Sequence, residues 1–154
     1  MIKNRRGSTL TAVIVVMSIA MTLMGGMTTI AYSYYKRSFD DNYTRQAKLC
    51  SQSACEVIGK DIHQADEKTD YSKLIPTESN KIITLVNISL IKTNGSSPAN
   101  VSNGVTMNGR IKLVDSKTIE ITINATYKTH TATSTLKMLK NEETDTNWQM
   151  GQVK

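Results

Sequence analysis

Residues 7–35 read GSTLTAVIVVMSIAMTLMGGMTTIAYSYY, and this stretch decides the fold. It is a run of 29 residues without Asp, Glu, Lys, Arg or His. A helix needs about 20 predominantly apolar residues to cross the roughly 30 Å hydrocarbon layer of a bilayer, and this stretch is long enough. We therefore expect residues 8–35 to form a transmembrane helix.

A cleavable secretory signal is the main alternative, because it also has a basic start and an apolar centre. Its apolar region normally covers about 7–15 residues and ends at a small-residue cleavage site. Here the apolar stretch is longer and runs into a helical pattern, which favours a permanent anchor. Lys3, Arg5 and Arg6 outnumber Lys36 and Arg37 on the other flank. This bias predicts a cytoplasmic N-terminus and an extracytoplasmic remainder.

Apolar residues continue at helical spacing beyond the anchor, three or four residues apart, with charged residues between them. The stripe consists of Tyr32, Tyr35, Phe39, Tyr43, Ala47, Cys50, Ala54, Ile58, Ile62 and Ala65. It predicts an amphipathic extension over residues 36–66. A single helix from Ser8 to Ala65 would be about 87 Å long, at about 1.5 Å per residue. The alternative is a transmembrane helix followed by a separate short helix, but the unbroken stripe favours one helix.

Residues 67–140 are predicted to form an extracytoplasmic β domain, because from Lys81 onward the apolar period changes from helical to two. Residues 118–127 alternate polar and apolar side chains, which is typical of a half-buried strand with one face in water. A turn at residues 115–117 is expected to precede this strand. Residues 131–139 are expected to form the strand that pairs with it. Ile82, Val86, Ile88 and Leu90 are expected on one face of an earlier strand.

Asn108-Gly109 is the strongest hairpin signal in the chain. It predicts a turn that joins short strands at residues 105–107 and 110–114. The fold class is then α+β, with a long N-terminal transmembrane helix packed on a small antiparallel β-sheet of about four strands. Residues 141–154 are polar, and we expect a poorly ordered tail apart from a docked Trp148.

The composition offers little for catalysis or for nucleic-acid binding. Three of the +6 net charges lie in the leader, which leaves 6 − 3 = +3 on the remainder, with scattered lysines. Neither a Gly-rich phosphate loop nor a nucleophile elbow occurs in the sequence. His63 and His130 belong to different elements and lack close cysteine partners. The sequence therefore predicts no enzyme, no cofactor, no metal and no nucleic-acid partner.

The two cysteines, Cys50 and Cys55, both lie in the amphipathic extension. On a helix they would be about 140° apart, with α-carbons roughly 8–9 Å apart, beyond the usual disulfide reach of about 7 Å. Cys50 lies on the apolar stripe and is expected to be a buried small side chain. Because an extracytoplasmic location permits disulfides, a local or intersubunit bridge stays open.

The segment Met1–Val16 is a short basic leader that ends at Gly7 and is followed directly by the apolar helix. This arrangement resembles the type III prepilin signal of type IV pilins and pseudopilins. The resemblance implies that residues 1–7 are removed by a prepilin peptidase, which cuts between Gly7 and Ser8 and methylates the new N-terminus at Ser8. It also implies that the helix stays in membrane lipid as an anchor and then packs against other pilin subunits as the filament core.

The resemblance places the membrane and filament contacts at Leu10, Ala12, Val13, Ile14, Val16, Met17, Gly25 and Gly26. The family usually begins its mature chain with Phe, and Ser8 follows a minority pattern. The family's usual glutamate, fifth in the mature chain, corresponds to Ala12. A carboxylate in a bilayer is costly, and in pilins it pairs with the amine of a neighbouring subunit. Its absence implies a minor subunit of a type IV pilus, competence or type II secretion-like filament.

Two points stay open within this interpretation. The adjacent Gly25 and Gly26 disfavour helix by roughly 1 kcal/mol each in water, but small residues are common at helix contacts in membranes. Alternatively, the helix loosens there when pilin-like subunits pack into a filament. The alternative function is a single-pass membrane-anchored extracytoplasmic binding or sensor domain that joins no filament.

Overall fold

The computed structural model describes residues 6–64, 73–78, 81–94, 97–100, 104–141 and 147–154, without the side chains of 6–8, 92–94 and 97–100. It divides into two compact units, Met1–Asp41 and Asn42–Lys154. The elements are α1 (Arg6–His63), β1 (Ile82–Leu85), β2 (Ile91–Asn94), β3 (Ser97–Asn100), β4 (Val105–Asp115), β5 (Thr118–Tyr127), β6 (His130–Leu139) and β7 (Gln149–Val153). A five-stranded antiparallel sheet has the order β1-β4-β5-β6-β7, and β2 and β3 form a separate pair. The predicted α+β fold is confirmed.

Helix α1 is one continuous helix of 58 residues, as the unbroken stripe predicts. It ends at His63, where the amide of Gln64 donates to the carbonyl of Lys60 at 2.9 Å. Lys60 and His63 lie in the last turn, where a positive charge interacts favourably with the helix dipole. Residues 65–66, the predicted end of the stripe and extension, lie outside the described residues.

In the second unit, one face of α1 packs on one face of the sheet. The helix contributes buried Ala47, Ser51, Ala54, Cys55, Ile58 and Ile62. The sheet contributes buried Val105, Met107, Ile111, Leu113, Ile119, Ile121, Ile123, Ala125, Leu136 and Met138. The two elements approach closely at Gly59, where a Cβ would meet Cδ2 of Leu136 at 2.5 Å. Small residues on the helix therefore set the spacing of the two layers.

The β5–β6 hairpin follows the predicted alternation. Ile119 pairs with Met138 and Ile121 with Leu136, and all four side chains are fully buried. The turn before β5 is closed by the Asp115 carboxylate, which accepts a hydrogen bond from the Lys117 amide at 2.9 Å. This clear period of two is the signal that made the hairpin predictable.

The predicted hairpin turn at Asn108-Gly109 is wrong, because β4 runs straight through it. Gly109 pairs with Ile123, and a Cβ there would overlap the Ile123 side chain and contact Ile88 at 3.5 Å. Asn108 uses its side-chain oxygen to accept a hydrogen bond from the Asn87 amide at 3.1 Å. The dipeptide therefore serves close packing and the capping of a neighbouring segment, not a turn.

The predicted single strand face of Ile82, Val86, Ile88 and Leu90 is also wrong. Ile82 and Val86 are 52% and 69% exposed, whereas Ile88 and Leu90 pack against the core. The reason is Asn87, whose positive φ of 55° ends the alternation after β1. Before Asn87 the odd-numbered Ile83 and Leu85 pack on the core, and after it the even-numbered Ile88 and Leu90 do.

The C-terminal tail is ordered over residues 147–154, contrary to the expectation, and it supplies the fifth strand. β7 pairs with β6, and Lys154 and Thr135 exchange two backbone hydrogen bonds of 2.9 Å. Trp148 is 2% exposed, so the predicted docking is confirmed. Residues 142–146 of the tail lie outside the described residues.

Candidate membrane-anchor and processing region

The first unit exposes apolar side chains along the helix. Every side chain from Thr9 to Phe39 is exposed, including Leu10 at 66% and Met24 at 72%. The most apolar window of the helix has a mean hydropathy of 2.1, and none of it is buried within the structure. A continuous apolar surface of this extent needs a partner or a lipid phase. By length and composition the helix is able to cross a membrane.

Five hydroxyl groups within the apolar stretch are satisfied by the helix itself. Ser18, Thr22, Thr29 and Ser33 each donate to the carbonyl four residues earlier, at 2.8–2.9 Å. Thr28 donates in the same way to the Met24 carbonyl at 2.5 Å. Unsatisfied polar groups cost several kcal/mol in hydrocarbon, and these internal bonds remove that cost. The polar residues in the stretch are therefore compatible with lipid.

The predicted membrane and filament contacts all lie on this exposed helix. Leu10, Ala12, Val13, Ile14, Val16 and Met17 are exposed, so the isolated chain covers none of them. Gly25 and Gly26 lie within continuous helix, and a Cβ on either would meet nothing within 4 Å. Packing against the described residues therefore explains neither glycine. Both interpretations of the pair, helix contact and local loosening, stay predictions.

The predicted processing residues lie at the start of α1. Gly7 and Ser8 are helical, immediately after the first helical residue, Arg6. Their side chains, and residues 1–5 of the predicted leader, lie outside the described part of the chain. Cleavage between Gly7 and Ser8 stays a prediction.

The predicted burial of Cys50 is only partial, although its side chain packs against the core. Cys55 is fully buried and Cys50 is half-buried. Both thiols are free, and the helix between them is continuous. Burial raises the pKa of the Cys55 thiol to about 11, and burial also raises the pKa of Cys50. The buried face is wider than one stripe, because Ser51 and Cys55, one turn apart, share it with Ala54 and Ile58.

A buried polar contact joins the helix to the sheet beside Cys55. The hydroxyls of Ser51 and Ser134 lie 2.7 Å apart, and Ser51 also donates to the Lys48 carbonyl at 2.9 Å. Since Ser51 has one hydroxyl proton, Ser134 is then the donor between the two serines. The Cys55 thiol donates weakly to the Ser134 carbonyl at 3.5 Å. Sequence patterns missed this contact because a serine within a helical stripe carries no apolar signal.

The tip of the β5–β6 hairpin is fastened to the helix near the start of the second unit. Lys128 donates from Nζ to the Tyr43 hydroxyl at 2.9 Å, and this bond raises the pKa of Lys128. The Tyr43 ring packs edge-on to Tyr127, with centroids 5.5 Å apart. Lys128 has a positive φ of 53°, which a non-glycine residue keeps only when its surroundings hold it. Lys128 lies in the two-residue loop between the paired Tyr127 and His130, and tight hairpin loops of this length call for a positive φ.

An open cleft of 620 Å³ lies at the other end of the second unit. It is lined by Ile75, Pro76, Thr77, Leu113, Val114, Asp115, Ser116, Lys140 and Trp148. Lys140 places Nζ 4.5 Å from the centre of the Trp148 ring, and the Trp148 carbonyl contacts Nδ1 of His63 at 2.5 Å. Among the described lining residues, the cleft combines apolar side chains with one carboxylate, that of Asp115, and one amine, that of Lys140.

Among the residues that the structure describes, no group of three His, Cys, Asp or Glu side chains is placed to hold a metal ion. Comparison of the chain with known protein families, with curated proteins and with solved structures finds no match.

Proposed function

We propose that this chain is a minor pilin or pseudopilin, a non-catalytic subunit of a type IV pilus, competence or type II secretion-like filament. One observation carries the proposal: the basic residues Lys3, Arg5 and Arg6 are followed by Gly7 and then directly by the apolar helix. A simple membrane anchor has no need of a glycine at this junction. In the proposal, prepilin peptidase cuts after Gly7 and Ser8 becomes the methylated N-terminus.

The architecture supports this proposal. The helix is continuous from Arg6 to His63, its first part is exposed and apolar, and its later part packs on an antiparallel sheet. This is the arrangement that a filament subunit needs, because the same helix serves as a membrane anchor before assembly and as a filament core afterwards. In the membrane the three leader cations keep the N-terminus cytoplasmic, and the second unit is extracytoplasmic.

Ala12 favours a minor rather than a repeating subunit. Without a carboxylate at this position the helix cannot pair with the amine of a neighbour. It also avoids the cost of a charge in hydrocarbon, which is about 3 kcal/mol at the centre of a spanning helix and smaller near its end, where Ala12 lies. The subunit then waits in lipid and enters filaments rarely, at an end or at the start of assembly. Quantitative proteomics of sheared filaments measures this. A stoichiometry near that of the major subunit would contradict it, and Ala12→Glu is expected to raise incorporation.

Mass spectrometry of the membrane-extracted protein tests processing directly. The proposal predicts an N-terminus at N-methyl-Ser8 in cells that contain prepilin peptidase. An intact N-terminus in such cells would exclude it. Gly7→Leu is expected to leave the leader uncut, whereas Thr9→Leu is a matched control that keeps Gly7 and should be processed.

A second candidate is a membrane-anchored binding or sensor domain that joins no filament. The observation that favours it is the 620 Å³ cleft beside Trp148, whose size falls in the usual range of small-molecule sites, about 300–1,000 Å³. The Gly7 variant separates the two candidates. A sensor domain should keep its leader and tolerate Gly7→Leu, while a pilin-like subunit should accumulate uncut and leave the filament fraction.

A further inference from the structure

A group of aromatic and cationic residues lies at the end of the apolar stretch of α1. Tyr32, Tyr34, Tyr35 and Phe39 are 69%, 72%, 64% and 39% exposed, although each carries a large apolar ring. Lys36 and Arg37 lie among them and are also exposed. Tyrosine and the stems of lysine and arginine are amphipathic, with an apolar body and a polar tip. These six residues form the aromatic belt.

The belt surrounds the helix rather than marking one side. At about 100° per residue, and relative to Tyr32, the other members lie near 40° (Lys36), 140° (Arg37), 200° (Tyr34), 300° (Tyr35) and 340° (Phe39). A single protein partner would need these residues on one stripe. A ring suits a medium that meets the helix on all sides, which is what a lipid–water interface does.

The length of helix before the belt matches a bilayer. From Leu10 to Ile30 the helix rises about 30 Å at about 1.5 Å per residue, which equals the usual thickness of the hydrocarbon layer, roughly 30 Å. Arg6 precedes this segment and Tyr32 lies just after it. The leader cations can therefore lie at one interface while the belt lies at the other, and the helix needs little tilt from the bilayer normal.

A shallow groove of 270 Å³ runs along the helix at the belt, lined by Thr29, Ile30, Ser33, Tyr34 and Arg37. Thr29 and Ser33 already donate to helix carbonyls, so their protons are not available to a ligand. The side-chain donors left among these lining residues are the Arg37 guanidinium and the Tyr34 hydroxyl. They are three residues apart and share a face. Guanidinium binds phosphate oxygens in a bidentate way.

We propose that the aromatic belt is a lipid-headgroup site, which seats the helix at the extracytoplasmic interface with Arg37 and Tyr34 on a lipid phosphate. This inference rests on the membrane-anchor part of the proposed function and does not depend on filament assembly. It shifts the hydrocarbon boundary to about Ile30, so Tyr32 to Tyr35 belong to the interface rather than to the membrane interior.

The test places a tryptophan in the full chain at one of two positions, either in the middle of the hydrocarbon segment or in the belt. Met21→Trp and Tyr32→Trp are reconstituted separately in phosphatidylcholine nanodiscs whose acyl chains carry bromine either near the headgroup or near the chain end. The emission of buried Trp148 is subtracted with the unsubstituted chain. We expect the tryptophan of Met21→Trp to be quenched more strongly by bromine near the chain end than by bromine near the headgroup. We expect the tryptophan of Tyr32→Trp to show the opposite preference.

Each other outcome overturns a stated part. If tryptophan 21 responds to the deep bromine but tryptophan 32 responds to neither, the belt lies outside the lipid and this inference fails while the anchor stands. If both respond most to the deep bromine, the interface lies beyond the belt and the inference fails. If tryptophan 21 is unquenched, the anchor itself fails, and with it the proposed function.

A second pair of variants tests the phosphate contact. In the Tyr32→Trp background, Arg37→Gln is expected to shift tryptophan 32 towards the deep bromine, because the guanidinium no longer holds the helix at the headgroups. Arg45→Gln is the matched control, since Arg45 is an exposed arginine of the second unit, and it should cause no shift. Equal profiles for the two variants would refute the phosphate contact.

Discussion

Ser51 and Ser134 form the only hydroxyl pair between helix and sheet that is buried within the described residues, and their coupling is open to measurement. The two hydroxyl oxygens lie 2.7 Å apart with both residues at most 1% exposed. The perturbation is a double-mutant cycle of Ser51→Ala, Ser134→Ala and the double variant. The cycle isolates the pair if each substitution removes the contact without adding a new one.

The magnitudes depend on which serine donates. In Ser51→Ala the Ser134 hydroxyl loses its acceptor and becomes a buried unsatisfied donor, at a cost of about 1–3 kcal/mol. Alanine has a helix propensity better by about 0.5 kcal/mol, which offsets part of this. Ser134→Ala costs about 1 kcal/mol, because Ser51 keeps its bond to the Lys48 carbonyl. The double variant leaves no buried donor without an acceptor, so we expect a coupling energy of about 1–2 kcal/mol.

Urea unfolding of the full chain in detergent micelles is a suitable assay. Trp148 is the one tryptophan of the chain and is buried, so its emission reports the second unit. Thr133 and Asn124 provide the matched control, because their side chains also lie 2.7 Å apart but on the exposed face, where water replaces a lost partner. A coupling energy for the serine pair no larger than that of the exposed pair would refute the reasoning.

Three further predictions use the same emission assay. Gly59→Ala should lower the free energy of unfolding by about 1–2 kcal/mol, since overpacking costs more than the gain in helix propensity, while exposed Ser53→Ala should raise it slightly. Stability should fall as pH rises from 9.0 towards about 11, because the unfolded state loses the Cys55 proton first, and Cys55→Ala should flatten that slope. Gly151→Ala should undock β7 and red-shift the emission, because its Cβ would lie 2.6 Å from a backbone carbonyl oxygen of β6, whereas exposed Gln152→Ala should not.

The later part of α1 and the β5–β6 hairpin were predictable because each buries one regular face. A period of three or four residues runs through α1, and a strict alternation runs through β5. Both patterns are local, so no knowledge of the partner element is needed. The exposed first part of α1 was predictable for the same reason, from apolar length alone.

The errors arise where long-range packing overrides a local signal. Asn108-Gly109 has the composition of a turn, yet Gly109 is needed where Ile123 and Ile88 approach the strand. Asn87 adopts a left-handed conformation that no apolar pattern encodes, and it reverses the parity of the residues after it. β7 reads QMGQV, in which only Met150 and Val153 pack on the core, and its pairing with β6 supplies the rest.

The candidate site divides in the same way. The predicted orientation and cleavage position can be read from the sequence, because the charge bias and Gly7 depend only on the order of residues along the chain. The cleft and the Tyr43–Lys128 contact instead join residues that are far apart in the chain, and Tyr43 and Lys128 are separated by 85 positions. Such contacts result from sheet register and have no sequence pattern of their own.

Within the proposed function, the apolar first part of α1 and the second unit contribute differently to any choice of partner. From Thr9 to Tyr35 the described helix has no charged side chain. The serine and threonine hydroxyls in its centre donate hydrogen bonds to its own backbone carbonyls. Such a surface distinguishes one apolar neighbour from another mainly by shape, and Gly25 and Gly26 allow a close approach of a neighbouring backbone. Beyond residue 11, the described side chains that are suited to directional contacts begin at the belt, where tyrosines and cations appear, and continue on the polar face of the sheet. Within the proposed function, the anchor therefore sets where the subunit resides, and the second unit sets which neighbours it accepts.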